Sequence, residues 1–164
     1  MKHKHEVIKL ITFLFLTSIS VTGLTAATSA QKVDAAVDAT EVSKTEKREA
    51  VVKLAKKQVG KHYVYGATGP NAFDCSGLVQ YVYKKACNKK LPRTTYTQVK
   101  AGKKVSLKKL KKGDLLFWGS ASAPKHVGIY AGNHKFIHAA TPAQGVRKQK
   151  LSQYFYPSAA ERVL

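Results

Sequence analysis

The stretch Phe73-Asp74-Cys75-Ser76-Gly77-Leu78-Val79-Gln80-Tyr81-Val82-Tyr83 decides how this chain is read. Leu78, Val79, Val82 and Tyr83 fall three, four, seven and eight residues after Cys75, the spacing of one helical face. Asp74 is a natural N-cap, and Gly69-Pro70-Asn71 marks a turn just before it. The pattern predicts a helix that begins at Cys75 and runs to about Ala86. A thiol in that first turn feels the positive end of the helix dipole, which favours thiolate over thiol. A nucleophile would be well placed there. A lone helical cysteine is more often structural, so the rest of the chain has to decide.

Downstream, Leu115-Leu116-Phe117-Trp118 reads as a buried strand after the Gly113-Asp114 turn. His126-Val127-Gly128-Ile129-Tyr130 and Lys135-Phe136-Ile137-His138-Ala139 form the two arms of a hairpin turned at Gly132-Asn133-His134. Upstream, Thr45 to Val59 has an apolar helical face and stops at Gly60, and Thr94 or Thr95 caps a short helix through Val99. Helices first and an antiparallel sheet afterwards make an α+β arrangement.

A nucleophilic thiol needs a base, and the base needs a partner for its other nitrogen. Cys75, His126 and His138 fit those roles in that order. A two-residue loop at Asn133-His134 would put the two imidazoles on opposite faces of the ribbon. An odd-length loop or a bulge is required to bring them together. His62 and His134 read as bystanders. Metal binding is the rival use of these residues, but no H-x-E, C-x-x-C or H-E-x-x-H spacing supports it, and neither metal nor cofactor is expected.

Cys75 and Cys87 are the two cysteines. On one helix, twelve residues at about 1.5 Å each separate them by roughly 18 Å. A disulfide needs Cα atoms within about 7 Å, so both are expected to be free.

The chain has 164 residues, with 29 Lys and Arg against nine acids. Lys2 and Lys4 precede a mostly apolar run from Leu10 to Leu24, interrupted by hydroxyl residues, and small residues follow. Residues 1–35 read as a secretory signal peptide, cleaved between about residues 30 and 36, with an uncleaved anchor as the alternative. Residues 36–44 read as a flexible leader, and residues 45–164 as one folded domain. From Thr45 onward there are 24 Lys and Arg against five acids, many of the lysines in pairs such as Lys103-Lys104 and Lys108-Lys109. Such a balance points to an anionic polymer as partner. An exported protein meets wall polymers or anionic lipid rather than nucleic acid, and no nucleic-acid motif is present.

The run from Tyr63 to Tyr83, with Leu91-Pro92-Arg93-Thr94, Lys112-Gly113-Asp114-Leu115, His126-Val127-Gly128-Ile129-Tyr130 and Ile137-His138-Ala139, resembles the NlpC-type family, papain-like cysteine peptidases of bacterial cell walls. The blocks match in kind and order across essentially all of residues 45–164. The resemblance implies a papain-like fold with Cys75 as nucleophile, His126 as general base and His138 as the residue that orients it. It implies that Tyr63 helps to hold the oxyanion. Asp74 and Ser76 match a flanking pair that contacts the substrate amine in some members. The implied reaction is hydrolysis of the peptidoglycan stem peptide, usually at the bond from the D-glutamate γ-carboxyl to the following diamino acid. With the signal peptide and the basic surface, a secreted, wall-associated monomer is expected. No wall-binding repeat is visible, so the basic surface is expected to provide targeting. An amidase or acyltransferase on the same layout, and a non-catalytic cationic wall-binding protein, are the alternatives.

Overall fold

The computed structural model describes residues 28–164, with side chains from residue 40 onward. The signal-peptide reading of residues 1–35 falls almost wholly outside the described residues. Helix α1 (Thr28–Lys56) takes in residues 36–44, read above as a leader. That segment has no apolar stripe, but it contains neither Gly nor Pro, so nothing in it breaks a helix that continues into the apolar face from Val51 onward. Past Lys56 the chain tightens into i to i−3 turns, with the Gln58 N–H donating to Ala55 O at 3.0 Å and the Val59 N–H to Lys56 O at 3.2 Å. Gly60, at φ 92°, then turns the chain away.

Two short parallel strands, β1 (His62–Tyr63) and β2 (Ala72–Phe73), enclose the loop before helix α2 (Cys75–Cys87). Asn88 ends α2 in the left-handed conformation, with φ 54°. The short helix α3 (Thr95–Gln98) follows. Six strands then form one antiparallel sheet: β3 (Lys103–Lys104), β4 (Leu115–Gly119), β5 (Pro124–Gly132), β6 (Lys135–Ala139), β7 (Val146–Lys150) and β8 (Ala159–Arg162), in the spatial order β3-β8-β4-β5-β6-β7.

The sheet has two apolar faces. Leu115, Phe117, Val127, Ile129, Ile137 and Ala139 pack with Val51, Leu78, Val79, Val82 and Tyr83 of the helices. Leu116, Trp118, Tyr130, Phe136 and Ala160 form a second cluster on the other face, where Phe155 covers them. The apolar stripe of α2 is thus the layer that seats Cys75 against the sheet. Asp114, almost fully buried, accepts from Arg162 through both carboxylate oxygens, at 2.8 and 2.7 Å, and ties β8 to the start of β4.

The hairpin register answers the parity question. Gly132 pairs with Lys135 around a two-residue turn whose Asn133 and His134 have φ 51° and 54°. A bulge between Tyr130 and Gly132 then shifts the pairing, so that Ile129 faces Ile137. His138 consequently lies opposite Gly128 and on the same face as His126.

Candidate active site

Asp74 caps α2 as its sequence predicts: its Oδ1 accepts the Gly77 N–H at 2.6 Å. The preceding loop closes tightly on this end, with the Asp74 N–H donating to Ala67 O at 2.8 Å. A Cβ at Gly77 would lie 2.2 Å from that same carbonyl oxygen, so only glycine fits there. This closure fixes Cys75 at the mouth of a cleft of about 410 Å³ lined by Tyr63, Cys75, Ser76, Arg93, Tyr96 and Lys125, among others. The Val127 N–H, next in the chain to His126, reaches the thiol. Among the described residues no hydrogen bond joins Cys75 to either imidazole.

His126 Nε2 lies 2.7 Å from His138 Nδ1, and His138 Nε2 lies 3.2 Å from Gln149 Oε1. An amide oxygen only accepts, so with Oε1 facing the ring His138 carries its proton on Nε2. His138 Nδ1 then accepts from His126 Nε2–H. His126 Nδ1 is left with a free lone pair, the form a general base needs. Trp118 sits opposite His126 in the β4–β5 register, with ring centroids 5.5 Å apart, and Phe136 lies 4.7 Å from His138. Phe155 stacks on Trp118 at 4.8 Å. The histidines also line a second cavity of about 490 Å³, together with Arg147 and Phe155.

The aromatic enclosure sets the charge state. Burial, and then the neighbouring His138, lower the pKa of His126 to about 3. Burial also lowers His138 to about 4, partly offset by the Gln149 hydrogen bond. The thiol corrects an expectation. Backbone N–H groups of Val127, Ser76 and Cys75 favour the thiolate, as the helix-start argument requires. Burial and then the charge of Asp74 outweigh them, and the Cys75 pKa lies above its ordinary 9.0. Burial thus favours the neutral form of the thiol and of both imidazoles. Burial, then Cys75 and Asp74, raise Tyr63, which shares their cleft. Burial pushes the Asp74 carboxyl up, but Arg93 and the Gly77 and Gly66 N–H groups more than reverse this, leaving it below its ordinary range.

Of the residues singled out above, Tyr63, Asp74, Cys75 and Ser76 share one cleft, and His126 and His138 meet each other on the Trp118 and Phe136 side of the sheet, where they line the second cavity. His62 in β1 and His134 in the hairpin turn are exposed. Cys87 is free and bonds to the Tyr83 carbonyl at 3.2 Å, and Cys75 is free as well. No group of three or more His, Cys, Asp or Glu with metal-holding geometry occurs among the described residues. Sequence reasoning missed Gln149, Trp118 and Phe155. Arg93 joins them: Nη1 donates to Asp74 Oδ1 at 3.1 Å and to Ser76 Oγ at 2.8 Å, and Nη2 pairs with Asp74 Oδ2.

A cysteine at the start of a helix seated on an antiparallel sheet, with a paired imidazole on the strand whose Val127 N–H reaches the thiol, defines the papain-like α+β class. Comparison with known proteins narrows it. The NlpC/P60 family model matches residues 60–163, and the chain belongs to that family. It is 41% identical over 105 residues to Protein P54 of Enterococcus faecium, covering 64% of this chain and 20% of that protein. It is 38% identical over 108 residues to the Murein DD-endopeptidase MepS/Murein LD-carboxypeptidase of Escherichia coli, covering 64% and 57%. This chain thus spans between a fifth and little more than half the length of these relatives. The NlpC/p60 domain of the peptidoglycan hydrolase SagA superposes with a TM-score of 0.67 at 39% identity, covering 70% of this chain and 97% of that one. RipD from Mycobacterium tuberculosis, described as a non-catalytic NlpC/p60 domain protein adapted to peptidoglycan binding, superposes at 0.62 with 26% identity, covering 72% and 98%.

Proposed function

We propose that this protein is a secreted cysteine endopeptidase that cleaves the peptidoglycan stem peptide, at the bond from the D-glutamate γ-carboxyl to the diamino acid. The observation that carries the reading is the chain from His126 through His138 to Gln149, which leaves His126 Nδ1 unprotonated beside the strand that touches the Cys75 thiol. His126 takes the thiol proton as sulfur attacks the γ-carbonyl carbon. The oxyanion is held by the Tyr63 hydroxyl and a backbone N–H at the start of α2. The same proton passes to the leaving amine, the C–N bond breaks, and water hydrolyses the acyl-enzyme. Thiol and base reach hydrogen-bond distance in the complex with substrate, where catalytic contacts are tightest. Asp74 and Ser76 form the acyl-side wall. Digestion of purified muropeptides with mass readout tests this. A γ-D-glutamyl product that disappears in Cys75→Ser supports it, and intact muropeptides after prolonged digestion refute it.

A second reading, a non-catalytic wall-binding domain, is favoured by the raised Cys75 pKa, because a binder has no need of a reactive thiol. The complete Cys75-His126-His138 set, unneeded for binding alone, favours the first. Under either reading the excess of lysine and arginine targets the protein to anionic wall polymers. Retention on whole walls should then fall steeply with salt, since exposed charges are screened within about 8 Å at physiological ionic strength. Salt-independent retention on walls stripped of their anionic polymers would remove that part of the proposal.

A further inference from the structure

The charged group that the cleft offers a ligand is Arg93 rather than Asp74. Asp74 is 5% exposed, and its two oxygens already face five donors. Oδ1 accepts from Gly77 N at 2.6 Å, Arg93 Nη1 at 3.1 Å and Ser76 Oγ at 3.3 Å. Oδ2 accepts from Gly66 N at 3.0 Å and from Arg93 Nη2. A carboxylate has about four acceptor positions, so none remains for a ligand ammonium. The hydroxyl of Ser76 is likewise engaged, donating to Asp74 and accepting from Arg93 at 2.8 Å.

Arg93 is in the opposite condition. Its side chain is 39% exposed, and three of its N–H groups are spent on Asp74 and Ser76. A guanidinium carries five, so the Nε–H and one Nη2–H remain. Lys125, exposed and without an ion-pair partner among the described residues, lines the same cleft. Tyr65, at 90% exposure, and Tyr96, at 52%, complete the rim with neutral polar edges. An ammonium entering here meets two cations and no free anionic acceptor, whereas a carboxylate finds two unspent guanidinium donors.

We infer that the cleft selects an acyl-side ligand that is capped at its N-terminus by an amide and carries a carboxylate, with Arg93 and Lys125 holding that carboxylate. A stem peptide would then enter still joined through its first residue to other wall material, not as a free peptide with a terminal amine. A glutamyl residue linked through its γ-carboxyl supplies such a carboxylate close to the scissile bond. This rests on the stem-peptide reading above.

The test is calorimetric titration of the Cys75→Ala protein, which measures binding without turnover. Three ligands are compared: an N-acetylated stem peptide, the same peptide with a free amine, charged at pH 7, and the acetylated peptide with its glutamyl carboxylate converted to carboxamide. The acetylated acid should bind at least about tenfold more tightly than either of the others. Equal or tighter binding of the free amine overturns the inference, and so does indifference to the carboxamide. Arg93→Gln should erase the discrimination, and Arg93→Lys should restore part of it. Should these variants fail to fold, the three-ligand comparison on native Arg93 still decides. Discrimination by a protein whose native form hydrolyses nothing would support this inference while removing the peptidase reading.

Discussion

The bulge between Tyr130 and Gly132 sets His126 and His138 on one face of the sheet, with Nε2 and Nδ1 2.7 Å apart. Without it the two-residue turn would send the rings to opposite faces. Gly128 completes the arrangement. It lies opposite His138, and a Cβ there would come within 3.2 Å of His138 Cβ and 3.1 Å of the Phe136 ring.

Gly128→Ala should therefore displace His138 and misalign His126 while the fold survives. A misplacement approaching 1 Å can cost about a hundredfold, so kcat should fall roughly ten- to a hundredfold with KM little changed. Steady-state kinetics on a soluble stem peptide would check this, and a wild-type kcat would dissociate the His138 position from the chemistry.

Gln149 fixes the tautomer of His138 and, through it, the free lone pair of His126. Gln149→Leu removes one hydrogen bond of about 1 kcal/mol and should lower kcat about fivefold. Gln149→Glu keeps the acceptor and adds a charge that favours protonated His138, so the acid limb of kcat/KM should move to higher pH. Identical pH profiles for all three proteins would rule out the positioning role.

Both histidines have folded pKa values, about 3 and about 4, below their ordinary 6.5. As pH falls below 6.5 the unfolded chain therefore binds protons before the folded one does. Their contribution to stability is fully present above pH 6.5 and is lost as pH drops through 4 and then 3. Histidine NMR should find both rings neutral at pH 5, and melting temperature should decline through this window. A charged His126 at pH 5 would contradict the aromatic enclosure as the cause of the shift.

Iodoacetamide labelling reads the charge state of the thiol. With burial and Asp74 holding the Cys75 pKa above 9.0, its labelling rate should still be rising at pH 9. A plateau reached below pH 7 would mean that the resting protein holds a thiolate–imidazolium pair instead.

The sequence was legible wherever one face of an element is buried. The 3.6-residue stripe behind Cys75, the unbroken apolar run Leu115-Leu116-Phe117-Trp118 and the alternation around His126 and His138 placed α2, β4, β5 and β6 closely. Strand β7 was not legible, because in Val146-Arg147-Lys148-Gln149-Lys150 only Val146 is buried and the rest reads as a basic loop. Strand β8 hides for the opposite reason: it is four residues long and buries Glu161, which sequence alone assigns to the surface. Gln149 and Trp118 reach the histidines through register across neighbouring strands, and Arg93 reaches Asp74 across 19 residues. Neither relation leaves a local pattern. The direction of the Cys75 shift was also beyond reach, since a helix start is visible in sequence while the burial of its thiol is not.

Under the proposed function, Cys75 carries the acyl group during hydrolysis of the stem peptide. Rapid acid quench of the protein during turnover, followed by intact mass and peptide mapping, tests it most directly. A mass gain equal to the fragment ending in the γ-glutamyl acyl group is expected, located on the peptide containing Cys75 and absent in Cys75→Ser. Stem-peptide cleavage at an undiminished rate by Cys75→Ser, with no adduct on the native protein, would contradict it.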